Sequence, residues 1–493
     1  MSVRSGAAYL FIETIFSTFF GYVFWFVMSR IATPEIIGIS STAISFATIF
    51  IIVSTIGIPT GVQRFLAKAF SENKEENAKL FVKASLLLIT IGIVASAGFI
   101  LIFKDWLGET FEIGFNLLIV SILLIASSSI AVLFRSVIIA SLKTKNLPVI
   151  TVLSSVVKLI LAITLVTIGA GALGITIGFT IFPILASIFL AVFIMLNFRS
   201  SMSKPENGMK HSLKNILIAS VVTWLPSLIY TTGINLGSLV VFSSQGASHA
   251  GVYFIALSIV SALSAVTSVL LTIAFPVLST MHDGRKRLAW RITKLSLVIT
   301  LPLSCSIIFY SKNVMQLFGQ SYVDGSSILE ILLFSMLPTV IMIGINTLMY
   351  SYGNYRQVLV IGLAASIPRI VSYFIFVPLY GSTGAAISFT VGSTLGFIVA
   401  VCIARKIRMI IFWKEVLLIL IVSIGFPFIF RSFEMNYLMG IILTLVASYV
   451  LFLKLGILNR TDLHDALGIL PCNVANPILR LLDIIAKKLN RTY

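Results

Sequence analysis

Charge is scarce in this sequence: Asp, Glu, Lys and Arg make up only 11% of it, less than half the roughly 25% usual for soluble domains. With 58% of residues hydrophobic, there is too little polar surface to cover a chain in water. That excludes a water-soluble globular protein. Cysteine is nearly absent. Cys305, Cys402 and Cys472 lie far apart, which excludes a disulfide framework or a thiolate metal site. The four histidines, at 211, 249, 282 and 464, do not cluster in sequence with carboxylates or cysteines. No phosphate-binding glycine loop or metal motif is present either. The expectation is therefore a protein that is not an enzyme and needs no cofactor, with a coupling ion such as H+ or Na+ left open. The alternation of barrel strands is missing as well.

What the sequence has is long apolar runs. Fourteen are long enough, at roughly 17–25 residues, to cross a bilayer as helices. They begin with 7–29 and 37–62, end with 411–430 and 436–456, and include 148–168, 295–311, 328–350, 358–380 and 382–404. The first lacks a small-residue cleavage site and reads as a retained span. The expected fold is an all-α integral membrane protein. The net charge of +18 is then a topology signal rather than a sign of nucleic acid. With the N-terminus in the cytoplasm, 28 of the 35 Lys and Arg fall on the cytoplasmic side and four outside, at Arg30, Lys104, Lys312 and Arg431. That is the positive-inside pattern, with both termini cytoplasmic and the protein in the plasma membrane.

The chain repeats itself. Gly171-Ala-Leu-Gly174-Ile-Thr-Ile177-Gly-Phe179-Thr180 lies 210 residues before Gly381-Ser-Thr-Gly384-Ala-Ala-Ile387-Ser-Phe389-Thr390, with five of ten positions identical. A looser match sets Pro34-Glu-Ile-Ile-Gly38 beside Ser248-His-Ala-Gly251. This divides the chain into a six-helix bundle over 1–198, a cytoplasmic linker over 199–214 and a second bundle over 215–406. Two added helices over 407–456 and a cytoplasmic tail over 457–493 follow. An even-numbered repeat keeps its orientation, so the halves are expected to be related by an axis along the membrane normal. In the tail, Pro477 opens an amphipathic pattern through Ile478, Leu481, Leu482, Ile485 and Leu489, read as a helix lying on the inner leaflet or packed on loops.

Three bases lie deeper within spans: Arg135, Lys158 and Arg369. Lys158 and Arg369 sit about ten residues from the cytoplasmic helix end, roughly 16 Å deep at 1.5 Å per residue, near the midplane of a ~30 Å core. Charges there are costly and mark function by default. Thr151, Ser154 or Ser155 share the helix face of Lys158, and Gly362, Ser366 and Tyr373 that of Arg369. The pair reads as fixed positive charge for an anionic head group. A structural ion pair with Glu13 or Glu330 is the bland alternative. Arg135 is close enough to the cytoplasmic end to snorkel. Glu13 shares a face with Ser17 and Gly21, and proton or ion uptake, neutralising a cation and contacting sugar hydroxyls all stay open for it. Polar stripes run along 215–241, from Ser220 to Asn235, and along 249–277, through Ser258, Ser261, Ser264, Ser268 and Thr272. Pro226 and Pro338 offer places to bend.

Arg30-Ile-Ala-Thr-Pro34-Glu35-Ile-Ile-Gly38, followed by Gly57 through Arg64-Phe-Leu-Ala-Lys, resembles the opening of the polysaccharide biosynthesis flippase family. Gly319-Gln-Ser-Tyr322 resembles the same family, as does Val377-Pro378-Leu-Tyr-Gly381-Ser-Thr-Gly384-Ala-Ala through to Arg405-Lys406. The family belongs to the multidrug and oligosaccharidyl-lipid exporter superfamily. The resemblance implies two six-helix bundles around a central cavity and translocation of polyprenyl-linked oligosaccharides by alternating access. By position, it implies that Arg135, Lys158 and Arg369 are cavity cations. The expected partners are a lipid-linked oligosaccharide, membrane lipids and glycan assembly enzymes. A drug exporter of the same superfamily is the first alternative. It fits less well, because exporters of cationic drugs need buried carboxylates and the count within the spans is two acids against three bases. A membrane glycan ligase or polymerase is the second alternative, set against the shortness of the external loops.

Overall fold

The computed structural model describes residues 3–71, 75–197 and 209–458, and all regular structure among them is helical. The helices are α1 (Val3–Ile31), α2 (Pro34–Thr55), α3 (Ile58–Ser71), α4 (Glu75–Ile102), α5 (Lys104–Phe111), α6 (Phe115–Ala140), α7 (Leu147–Thr167), α8 (Gly171–Asn197) and α9 (Met209–Gln245). They continue as α10 (Ala247–Thr280), α11 (Arg285–Phe309), α12 (Ser311–Gln316), α13 (Ser326–Phe334), α14 (Met336–Ser351), α15 (Tyr355–Lys406), α16 (Trp413–Ser432) and α17 (Tyr437–Lys454). The amphipathic tail pattern from Pro477 and residues 199–208 of the expected linker lie outside the described residues.

Thirteen helical stretches among the described residues are long and apolar enough to cross a membrane. The longest, α15, contains Gly381 at φ 58° and ψ −138°, which breaks the helix. Counted as two spans, α15 brings the thirteen to the fourteen of the sequence, and the break falls between 358–380 and 382–404. The protein is a multi-pass membrane protein.

Several boundaries move. The expected span 37–62 is two helices. α2 starts where the Thr33 side chain accepts from the Ile36 amide, with Pro34 next and Glu35 in the first turn, a normal start signal. It ends at a left-handed turn through Ile56 and Gly57. The apolar run continues across that turn, which hid it. α3 then occupies part of what reads as a loop. Its buried Ile58, Val62, Leu66 and Ala69 fall on one helical face. The expected span 295–311 is the apolar part of a helix that starts ten residues earlier, at Arg285, in a basic cluster without an apolar signal. The span 328–350 is cut into α13 and α14. Pro338 has no N–H to give the carbonyl of Phe334, four residues back, and α13 ends there. Pro226, by contrast, lies inside an unbroken α9.

By compactness the chain forms two units, Met1–Ile255 with Tyr373–Ala385, and Ala256–Ser372 with Ala386–Tyr493. In the first, α7 packs on α8 and α1, α6 on α8, and α2 on α9 and α6. In the second, α11 packs on α14, α16 and α17.

The matched glycines of the sequence repeat, Gly171 and Gly381, both have positive φ, 52° and 58°, a sign that residues with a side chain seldom adopt. Within the first unit, Gly38 and Gly251 meet each other. A Cβ on Gly38 would stand 1.8 Å from the Ala247 carbonyl oxygen, and one on Gly251 would stand 2.0 Å from that of Pro34. Matched positions of the two halves thus form the crossing of α2 and α10, where only hydrogen fits.

Candidate functional site

Lys158 sits at the middle of α7 and is 6% exposed. Among the described residues no carboxylate pairs with it. Its ammonium lies instead against aromatic faces, with Nζ 4.3 Å from the ring centre of Phe24 on α1, 4.6 Å from Phe179 and 5.7 Å from Phe182 on α8. Trp25 and Phe179 each pack edge-on against Phe24 and lie tilted by 36° against each other, which stiffens this wall. A desolvated cation gains about 2 kcal/mol from such a face, less than the several kcal/mol that burying the ion costs. One turn before Lys158, the hydroxyl of Ser154 is buried and has no hydrogen-bond partner. Thr151 and Ser155 are buried on the same stripe.

Arg369, in the first segment of α15, is 1% exposed. Its Nη2 donates to Ser393 Oγ at 3.0 Å, and its Cζ lies 4.2 Å from the ring centre of Phe389. Nε and Nη1 are buried without partners, and no carboxylate is paired with it among the described residues. The hydroxyl of Ser366, one turn before it, is also buried and unpartnered. Tyr373 of the same stripe donates instead to the Gly233 carbonyl, at 3.2 Å.

The two environments repeat each other. Phe179 and Phe389 are the matched phenylalanines of the 210-residue repeat, and each holds the buried base of its own half. Each base also has an idle hydroxyl one turn behind it. The phenylalanines escaped the sequence reading as site residues, although the repeat that contains them was plain. Each locus offers N–H and O–H donors from a basic side chain and a hydroxyl, with no paired carboxylate among the described residues. Chemically that suits an anion's oxygens, with Arg giving a directional fork and Lys a point charge.

Glu13 and Arg135 come together elsewhere in the first unit. Arg135 Nε donates to Glu13 Oε1 at 2.7 Å and Nη2 to Oε2 at 2.8 Å, a bidentate pair. Among the described residues Glu13 is thus paired with Arg135, and not with Lys158 or Arg369. Glu330 accepts from the Ser311 hydroxyl at 2.5 Å. A further buried base went unread because it seemed to lie at a span end. Lys294, two to three turns into α11 and 5% exposed, pairs with Glu415 of α16 at 3.3 Å. Along α10, the stripe is exposed at Ser261, Ser268 and Thr272. Ser268 and Thr272 bond carbonyls of their own helix, as hydroxyls in membrane helices do.

Residues 3–282, more than half of the chain, match the family model described as polysaccharide biosynthesis protein. No curated protein sequence matches. Among solved structures, the chain is similar to a lipid II flippase MurJ in an inward closed conformation, with a TM-score of 0.69 at 17% identity over 90% of this chain and 99% of that one. It is also similar to a multidrug resistance MATE family transporter of the MOP superfamily, inward-facing, with a TM-score of 0.59 at 18% identity over 83% and 95% of the two chains. A third likeness is to a MOP superfamily transporter from Pyrococcus furiosus, described as having a binding pocket of reverse polarity, with a TM-score of 0.56 at 17% identity over 82% and 96%. At such identities the likeness establishes the fold, the all-α architecture of these transporters.

Proposed function

Because the chain belongs to the polysaccharide biosynthesis protein family, we propose that it is a flippase. Its cargo in this reading is a polyprenyl-phosphate-linked or pyrophosphate-linked oligosaccharide, carried from the cytoplasmic to the outer leaflet by alternating access. The observation that carries the proposal is the repeated pair of buried bases with no paired carboxylate among the described residues, Lys158 on Phe179 and Arg369 on Phe389. A sugar phosphate cannot enter hydrocarbon without replacing its hydration. Lys158 Nζ, Arg369 Nε and Nη1 and the hydroxyls of Ser154 and Ser366 are donors that would do so. The aromatic faces satisfy each base only in part, so it stays available to an oxygen and also releases it. Glu13 acts here as the counter-ion of Arg135, and Arg135 thereby contributes less to cargo binding than the other two bases. The fold neighbours, one of them named a lipid II flippase, support this reading.

No catalytic step and no cofactor enter this account. Both termini lie in the cytoplasm, and the assembly enzymes that build the glycan are the natural upstream partners. Drug export is disfavoured by a specific observation: within the first unit's spans the carboxylate of Glu13 is already neutralised by a bidentate arginine. Mass spectrometry of lipid-linked glycans in cells depleted of the protein tests the proposal. Lipid-linked oligosaccharide accumulates on depletion, wild type clears it, and Lys158→Ala with Arg369→Ala does not, at equal levels of folded protein. Normal export in cells that make only the doubly substituted protein would overturn the assignment.

A further inference from the structure

The second unit holds a separate cavity of about 780 Å³ at the start of α11, on the side the charge pattern assigns to the cytoplasm. Six bases line it: Arg285, Lys286, Arg287, Arg291, Lys294 and Arg408. Its acidic side chains are Asp283 and Glu415, so the lining carries four positive charges in excess. Glu415 is already engaged by Lys294. Arg285 donates to the carbonyls of Met281, Ser279 and Ser351 and lies 5.2 Å from the centre of the Tyr352 ring, and Lys286 donates to the carbonyl of Ile407, all neutral partners. These orient the side chains without cancelling charge. The first free amides of α11 add a partial positive charge.

A second, independent observation points to a ligand. Trp290 lines the cavity and is 3% exposed, yet its indole N–H has no hydrogen-bond partner. A buried indole N–H ordinarily finds one. The cavity also has apolar walls. Ile410 and Phe412 line it and are themselves exposed, and Phe412 lies 6.3 Å from the Trp290 ring, centre to centre. Basic groups, a donor-bearing aromatic and exposed apolar side chains at a membrane-helix end suit a phosphate carried on an acyl chain.

We propose that this cavity binds the phosphate of an anionic membrane phospholipid, at a site distinct from Lys158 and Arg369. The proposal stands apart from the transport reading, since neither midplane base lines the cavity. Bound there, the lipid would tie the start of α11 to the loop before α16 and so tune the second unit.

The test is native mass spectrometry of the purified full-length protein with phosphatidylglycerol, with phosphatidylcholine, and with inorganic phosphate as the soluble arm. Arg287→Ser with Arg408→Ser removes two exposed bases and is expected to fold. It lowers phosphatidylglycerol affinity roughly tenfold, the size of one lost charged hydrogen bond, and leaves phosphatidylcholine unchanged. Trp290→Phe keeps the ring, removes the N–H and lowers affinity about threefold. Variant-sensitive binding of inorganic phosphate without competition by phosphatidylglycerol would keep the site but overturn its lipid assignment. Equal phosphatidylglycerol binding by wild type and both cavity variants would overturn the proposal.

Discussion

Arg369→Met separates a residue kept for function from one kept for structure. In place, the guanidinium gains one hydrogen bond to Ser393, worth about 1.5–3 kcal/mol when charged, and a contact with Phe389 worth about 2 kcal/mol. Against this stand the several kcal/mol that burial costs an ion and two unpartnered donors, Nε and Nη1, at about 1–3 kcal/mol each. The balance is unfavourable. Met fills similar space without charge, and removes both the burial cost of the ion and the two unpartnered donors. Ser393 is not orphaned, since its hydroxyl also donates to the Phe389 carbonyl at 2.9 Å. The substitution is therefore expected to raise the thermal unfolding midpoint of the purified protein while abolishing glycan export. Unfolding followed in detergent, paired with export in cells relying on the variant, reads both quantities. A destabilised protein that still exports would refute the reasoning on both counts and make Arg369 a structural residue.

Two further outcomes are expected. Glu13→Gln and Arg135→Gln should show a coupling of about 1–2 kcal/mol in a double-mutant cycle of unfolding. That is more than an isolated exposed pair gives, because the contact is bidentate, and less than a buried one, because the Arg135 side chain is 41% exposed; strictly additive effects would contradict the pairing. Gly38→Ala places a Cβ against the Ala247 carbonyl and is expected to remove folded protein from the membrane. Gly246→Ala meets nothing within 4 Å at φ 84° and costs only its backbone term of about 1–2 kcal/mol. Equal yields of the two would argue against the crossing of α2 and α10.

The spans were legible because hydrocarbon selects for length and apolarity, properties written locally in the chain. Gly381 marked the boundary of two spans for the same reason that it breaks α15. Boundaries set by other forces were not legible. The turn at Ile56–Gly57 interrupts no apolar run, and the basic first turns of α11 look like loop until the cavity they line is seen. The bases at 158 and 369 stood out by their depth and by the stripes that share their helix faces. Their aromatic partners were present in the repeat as Phe179 and Phe389, but cation–aromatic contact leaves no polar signature to notice. The pairing of Glu13 with Arg135, 122 residues apart, has no local signal at all.

The most direct test of the central claim is a translocation assay with purified protein in liposomes, using a polyprenyl-pyrophosphate-linked glycan whose sugar is labelled by an enzyme outside. The account predicts rapid loss of the protected inner-leaflet fraction with wild type. It predicts a rate indistinguishable from protein-free liposomes for Lys158→Met with Arg369→Met, at equal reconstitution. Wild-type translocation by the doubly substituted protein would contradict it.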